Sequence, residues 1–87
     1  MIAHWVYIFE DKKQNLTIGL TTDIGKKLSF ATKPNRIIYL RSFDDSFDAV
    51  AHKHLLDDLS EKTVRAYIKK HKDNTEATLF SLSTTTG

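Results

Sequence analysis

Cysteine is absent from the 87-residue chain, so disulfides and thiolate metal sites are excluded and the redox compartment cannot be read from it. The formal net charge is only +2, too small to point by itself to a polyanionic partner. No apolar run approaches the roughly 20 residues that a membrane span requires. The start, "MIAHWVYIFEDKK", lacks a basic stretch and a small-residue cleavage site, so no secretory signal is expected. Glycine numbers three, and the single proline falls in "TKPN", which reads as a loop. What is present is 40% hydrophobic and 10% aromatic residues, which argues against disorder along most of the length. One domain is expected, burying roughly 60% of its unfolded surface around a thin core. A soluble cytoplasmic protein follows as the expectation.

Residues 5–9, "WVYIF", form a compact aromatic and β-branched run of the kind that favours strands. Trp5, Tyr7 and Phe9 share one face by the two-residue period, which suits a packing role for Tyr7. The polar "EDKKQN" is short enough for a hairpin loop, and "LTIGLT" returns as a second strand. Gly19 within it marks a bulge or a close approach to the backbone. A helix over 23–31 follows, capped by Thr22 and Asp23, with Ile24, Leu28 and Phe30 or Ala31 turned inward. Residues 36–43, "RIIYLRSF", read as a third strand.

"DDS" then caps a helix from about Phe47, whose apolar face is expected at Phe47, Val50, Ala51, Leu55 and Leu59. Ser60 caps a further helix with Val64, Tyr67, Ile68 and His71 on its inner side. The chain divides into a domain over 1–73 and a polar tail over 74–87, where "ATLFSL" forms a short edge strand before a frayed end. The order β-β-α-β-α-α gives an α+β fold, with helices against a small three-stranded antiparallel sheet.

"VYIF", followed after a short hairpin by "LTIGLTTDIGKKL", resembles the paired motif of the GIY-YIG nuclease domain, particularly its small stand-alone bacterial members. In them the first strand reads like VYI, the second like LYTG or LYIG, and the segment beyond like TxDLxxR. Tyr7 and Thr17 are separated by the interval at which the family places its two tyrosines. "FDDSFDAVAHKHLLDDLS" parallels a later helix of the family, in which an alanine is followed four residues on by a glutamate. The resemblance spans about residues 5–72 and implies phosphodiester hydrolysis. In that chemistry a tyrosine acts as, or helps to generate, the general base. An arginine stabilises charge on the phosphate, and a glutamate binds one divalent metal.

Carried over position by position, the resemblance puts Tyr7 at the first tyrosine and Gly19 at the glycine, where backbone and substrate are expected to approach closely. Thr17 replaces the second tyrosine and keeps a hydroxyl without the reach of a phenol. Lys27 stands for the arginine, keeping the charge but not the planar fork. Lys53 falls at the glutamate, and an ammonium cannot ligate Mg²⁺. Tyr7 and Lys27 are therefore the residues left to carry any catalysis, with no metal ligand assigned and no cofactor expected.

The resemblance thus implies a nuclease scaffold with most of its chemistry replaced, more a binding domain than an enzyme. DNA or another nucleic acid would be held at phosphates by Lys26, Lys27, Lys33, Arg36 and Lys53. One alternative is an active endonuclease using Mg²⁺ or Mn²⁺, with Asp57 as the replacement acid. The other is a protein-interaction or self-associating module; no membrane partner is expected. Lys53 and Asp57 read first as an i,i+4 ion pair, and His52 and His54 as surface side chains.

Overall fold

Apolar residues fill positions 5–9 without a break, as a strand covered on both faces requires. In the computed structural model, which describes residues 2–30 and 36–84, this segment is β1 (His4–Glu10), the centre of a three-stranded antiparallel sheet. Its neighbours are β2 (Leu16–Thr21) and β3 (Arg36–Phe43), both at the sheet edges. The hairpin between β1 and β2 is tied by Asp11, whose carboxylate accepts from the Lys13 and Asn15 amides at 2.8 and 2.9 Å. Gln14 takes φ 67° in that loop. A bulge in the β1–β3 ladder sets Ile8 against Tyr39 but Phe9 against Ile37, so Ile38 is the extra residue.

Four helices complete the chain: α1 (Ile24–Phe30), α2 (Ser46–Asp58), α3 (Glu61–Lys70) and α4 (Lys72–Thr84). They divide between the two faces of the sheet. Val6, Ile8 and Tyr39 pack with Ala49 and Leu56 of α2 and Val64 of α3. On the opposite face, Tyr7 and Leu40 pack with Ile24 and Leu28 of α1 and with Leu79 and Leu82 of α4. The expected α+β order holds through its first six elements.

The tail departs from expectation. Residues 72–84 are helical, so "ATLFSL" is no edge strand, and the sheet keeps three strands. Residues 85–87 and the loop "TKPN" lie outside the described residues, as do Ala31 and Lys33. Helix α4 starts almost without a break from α3, since the Thr75 amide bonds the His71 carbonyl at 3.1 Å. Thr75, Leu79 and Leu82 then form its inner stripe. Tertiary packing of that stripe stabilises a helix whose Thr- and Ser-rich composition alone would not.

Helix α2 also turns a different face inward. Ala49 and Leu56 are buried, whereas Phe47, Val50 and Leu55 are 82%, 40% and 57% exposed. Two stripes at helical spacing compete here, and alanine at 49 lets the helix come down close on the sheet. The inward phase also brings His52 to Tyr39, giving a polar side chain a partner. The caps are as expected for the helix starts: Asp45 accepts from the Phe47 amide and Ser60 from the Thr63 amide.

Glu10 ends β1 with its side chain only 11% exposed, held between two arginines. Arg36 Nη2 reaches Oε1 at 2.9 Å, and Arg65 Nη1 reaches Oε2 at 2.9 Å. The hydrogen bond from Arg65, then that from Arg36, lowers the carboxyl pKa below its ordinary 4.5, against the opposing effect of burial. A depressed folded-state pKa contributes stability that is complete above the unfolded value and is lost as pH falls through the folded one. The urea midpoint is therefore expected to fall on acidification below about 4.5. Glu10→Gln should flatten that acid limb and cost about 1 kcal/mol at neutral pH, a modest figure because both arginines are partly solvated. A midpoint-against-pH curve of the variant that kept the full acid limb would contradict this role.

Candidate functional site

Tyr7 sits opposite Gly19 in the β1–β2 register, and cross-strand partners point to the same face. Its ring lies flat across the glycine. A Cβ at position 19 would overlap Tyr7 Cζ and its hydroxyl oxygen, and would stand 2.7 Å from Cε1. Gly19 is thus required by a neighbouring side chain, independently of any substrate. Tyr7 is 7% exposed, and its ring centroid is 4.7 Å from that of Phe9. Thr17, two register positions further along opposite Phe9, is exposed on the same face.

Helix α1 covers this face and brings the first lysines. Asp23 begins it, accepting from the Lys26 amide at 3.0 Å while its own amide donates to Thr21 Oγ1 at 3.0 Å. The second capping contact comes from Thr21, where Thr22 was expected. Lys26 is exposed and Lys27 half-buried. Tyr7, Thr17, Gly19 and α1 therefore belong to one side of the sheet.

Lys53 belongs to the helix packed on the other side. Its Nζ stands 2.7 Å from Asp57 Oδ2, with the lysine side chain 29% exposed and the aspartate 41%. The i,i+4 ion pair expected from the spacing is present. Arg36 lies at the end of β3 with its Nε and Nη2 on Glu10, so two of its nitrogens are already engaged. Among the described residues no three His, Asp or Glu side chains gather as metal ligands. An ammonium at 53, already neutralising the nearest acid on its helix face, does not fit a divalent cation.

A polar cluster that residue spacing did not bring out lies beneath α2 and α3. Tyr39 Oη is 2.8 Å from His52 Nε2 and 3.2 Å from Tyr67 Oη. The Tyr67 and His71 rings lie 4.3 Å apart, and Phe43 stands 5.2 Å from His52. Burial, then Arg41 and His71 nearby, pushes the His52 pKa down, while burial and Tyr67 push the Tyr39 phenol up. Burial thus favours the neutral form of His52, and the Tyr39 hydroxyl bridges its Nε2 to the Tyr67 hydroxyl. His52 is thus half-buried beside the core, contrary to the surface role expected, whereas His54 is exposed. The sequence signal for the cluster was the helical spacing that put Tyr67 and His71 on the inner side of α3; His52 lay off the stripe expected for α2.

With three strands in the order β2-β1-β3, helices on both faces and a tyrosine laid over a glycine, the architecture can be compared with solved structures. The chain is similar to the UPF0213 protein BH0048 from Bacillus halodurans. That solution NMR structure superposes with a TM-score of 0.66 at 20% identity, over 82% of this chain and 87% of the other. The likeness establishes the fold. No family model and no curated protein matches the chain. Among the described residues no helix is long and apolar enough to cross a membrane.

Proposed function

We propose that this chain is a GIY-YIG-like domain that holds nucleic acid at its phosphates and has lost metal-dependent hydrolysis. One observation carries the reading. At the position where the resemblance calls for a metal-binding glutamate, Lys53 stands in an ion pair with Asp57, the acid that a rearranged site would need. The Tyr7 ring, wedged between Gly19 and the α1 layer, supports a structural role for a residue that would otherwise act near the base. Lys26 and Lys27 on the same side of the sheet offer cations to a phosphate backbone.

A paired assay tests this reading. Branched and single-stranded DNA are offered at low salt with Mg²⁺, Mn²⁺ or EDTA. Salt-sensitive binding without cleavage is expected, and Lys27→Ala with Lys53→Ala should weaken it and flatten its salt dependence. Cleavage that disappears with EDTA and with Tyr7→Phe would overturn the proposal in favour of an active endonuclease.

The outward face of α2 favours a second reading, an association module. Phe47, Val50 and Leu55 lie exposed along one side of it, flanked by Asp45, Asp48 and Asp58. A concentration-dependent particle size with no affinity for DNA would support that reading over the first.

A further inference from the structure

Where α4 crosses the start of β3, a groove of about 370 Å³ opens at the sheet edge. Such a volume falls in the range of small-ligand sites. Ile38, Ile68 and Leu79 give it an apolar floor. Four cations, Arg36, Arg65, Lys69 and Lys72, line it against two carboxylates, Glu10 and Glu76, leaving a net charge of +2.

The donors of the groove divide into engaged and available. Arg65 is engaged through all three nitrogens, with Nε on Glu61, Nη1 on Glu10 and Nη2 on the Gln14 carbonyl. Lys72 stands 3.9 Å from Glu76. Arg36 gives Nε and Nη2 to Glu10 and keeps Nη1. Lys69 is exposed at the rim with no partner among the described residues. Thr75 borders the same groove but is only 3% exposed, and its Oγ1, without a hydrogen-bond partner among the described residues, is too buried to meet a ligand. A buried hydroxyl without a partner costs stability, and native folds seldom leave one so.

We propose that this groove binds a phosphate monoester, with Arg36 Nη1 and Lys69 Nζ donating to its oxygens and the apolar floor taking the body of the ligand. The charge decides the class. A phosphate monoester carries about −2 near neutral pH and presents three terminal oxygens, whereas a carboxylate carries −1 and presents two. Two uncommitted cationic donors, Arg36 Nη1 and Lys69 Nζ, and a net +2 match the former. The phosphate belongs either to a free mononucleotide or to the 5′ end of an oligonucleotide. The groove does not depend on the proposed binding of nucleic acid by Lys27 and Lys53.

Titration calorimetry at low salt tests the site, with the full chain and a nucleoside 5′-monophosphate as probe and the unphosphorylated nucleoside as control. Saturable binding of the monophosphate alone is expected, displaced by inorganic phosphate. Lys69→Glu should weaken it at least about tenfold. Thr75→Val should leave it within about twofold, with a thermal midpoint equal to the parent's or higher because an orphan hydroxyl is removed. Lys27→Ala with Lys53→Ala should leave it unchanged, which separates this site from the lysines of the proposed nucleic-acid contact.

An oligonucleotide bearing a 5′-phosphate, compared with its 5′-hydroxyl form, then distinguishes the source. A Lys69-dependent preference for the phosphorylated end assigns the site to chain ends, and no preference assigns it to the free mononucleotide. Equal affinity for nucleoside and monophosphate, or a Lys69→Glu variant that binds as the parent does, would overturn the proposal.

Discussion

Gly19→Ala is expected to lower folding stability by about 2–3 kcal/mol, and most of that loss should vanish when Tyr7 is also alanine. The new methyl group would occupy the volume of the Tyr7 ring end, overlapping Cζ and the hydroxyl oxygen. A long side chain at the surface would simply swing aside. This ring has little room to do so, because Ile24 of α1 and Leu40 of β3 pack around it and Phe9 lies against it. Either the ring leaves its layer or β2 shifts away from β1, and both forfeit packing.

Tyr7→Ala alone should cost about 3–4 kcal/mol through the cavity it leaves. In that background alanine at 19 meets no ring, and a strand gains slightly from losing a glycine. A double-mutant cycle in urea therefore should return a coupling energy near 2 kcal/mol. The same cycle separates two reasons for the glycine. If close approach of a substrate were the reason, Gly19→Ala would fold with full stability and fail only in binding. Additive losses, with no coupling to Tyr7, would overturn the packing account.

Leu56→Ala should cost about 3 kcal/mol, whereas Leu55→Ala should stay within about 0.5 kcal/mol. These neighbours differ by one helical step and by nearly everything else. Leu56 is 1% exposed against Val6, Ile8 and Tyr39, while Leu55 is 57% exposed on the outer side of α2. The larger cost follows from lost burial plus a cavity that a sheet-backed layer cannot collapse to fill. Thermal or urea unfolding of the two variants decides between the phases of α2. Equal losses at both positions would mean that the outer stripe is covered in solution.

That pair of leucines also marks where sequence reasoning reached its limit. Periodicity located α2 to within a residue at its start, since Asp45 is a capping residue and the apolar spacing is regular. It could not choose between two apolar stripes on one helix. The bulkier stripe, with Phe47 and Leu55, looked like the core; the smaller one won because Ala49 permits close approach and His52 finds Tyr39 thirteen residues away. The three strands and the hairpin were legible because each strand is locally distinct, whereas the place of β1 at the centre of the sheet was not. The contacts of Tyr39 with Tyr67 and of Glu10 with Arg65 join residues 28 and 55 apart in the chain, and no local pattern announces them.

Helix α4 shows the complementary failure. Its inner stripe of Thr75, Leu79 and Leu82 has helical spacing, but it opens on a threonine and sits among serines and threonines of low helix propensity. Only the layer it lands on makes the segment a helix. For the candidate site, the motif positions located Tyr7, Gly19 and Lys27 on one side of the sheet, and the Lys53–Asp57 pair followed from helical spacing. The clamp on Glu10 and the groove under α4 depend on tertiary structure, which is why they went unread.

The central strand has two audiences. Val6 and Ile8 face the layer under α2 and α3, while Trp5, Tyr7 and Phe9 face the layer under α1 and α4. The domain is therefore two half-cores sharing one wall, and β1 is the wall. Cooperative units of this kind can open one at a time, each with its own free energy. Lifting α4 exposes Leu79 and Leu82 but leaves Ala49, Leu56 and Val64 on their side of the sheet undisturbed. A chain of this length thereby spends one strand on two separate apolar layers, with α3 and α4, nearly continuous, serving one layer each.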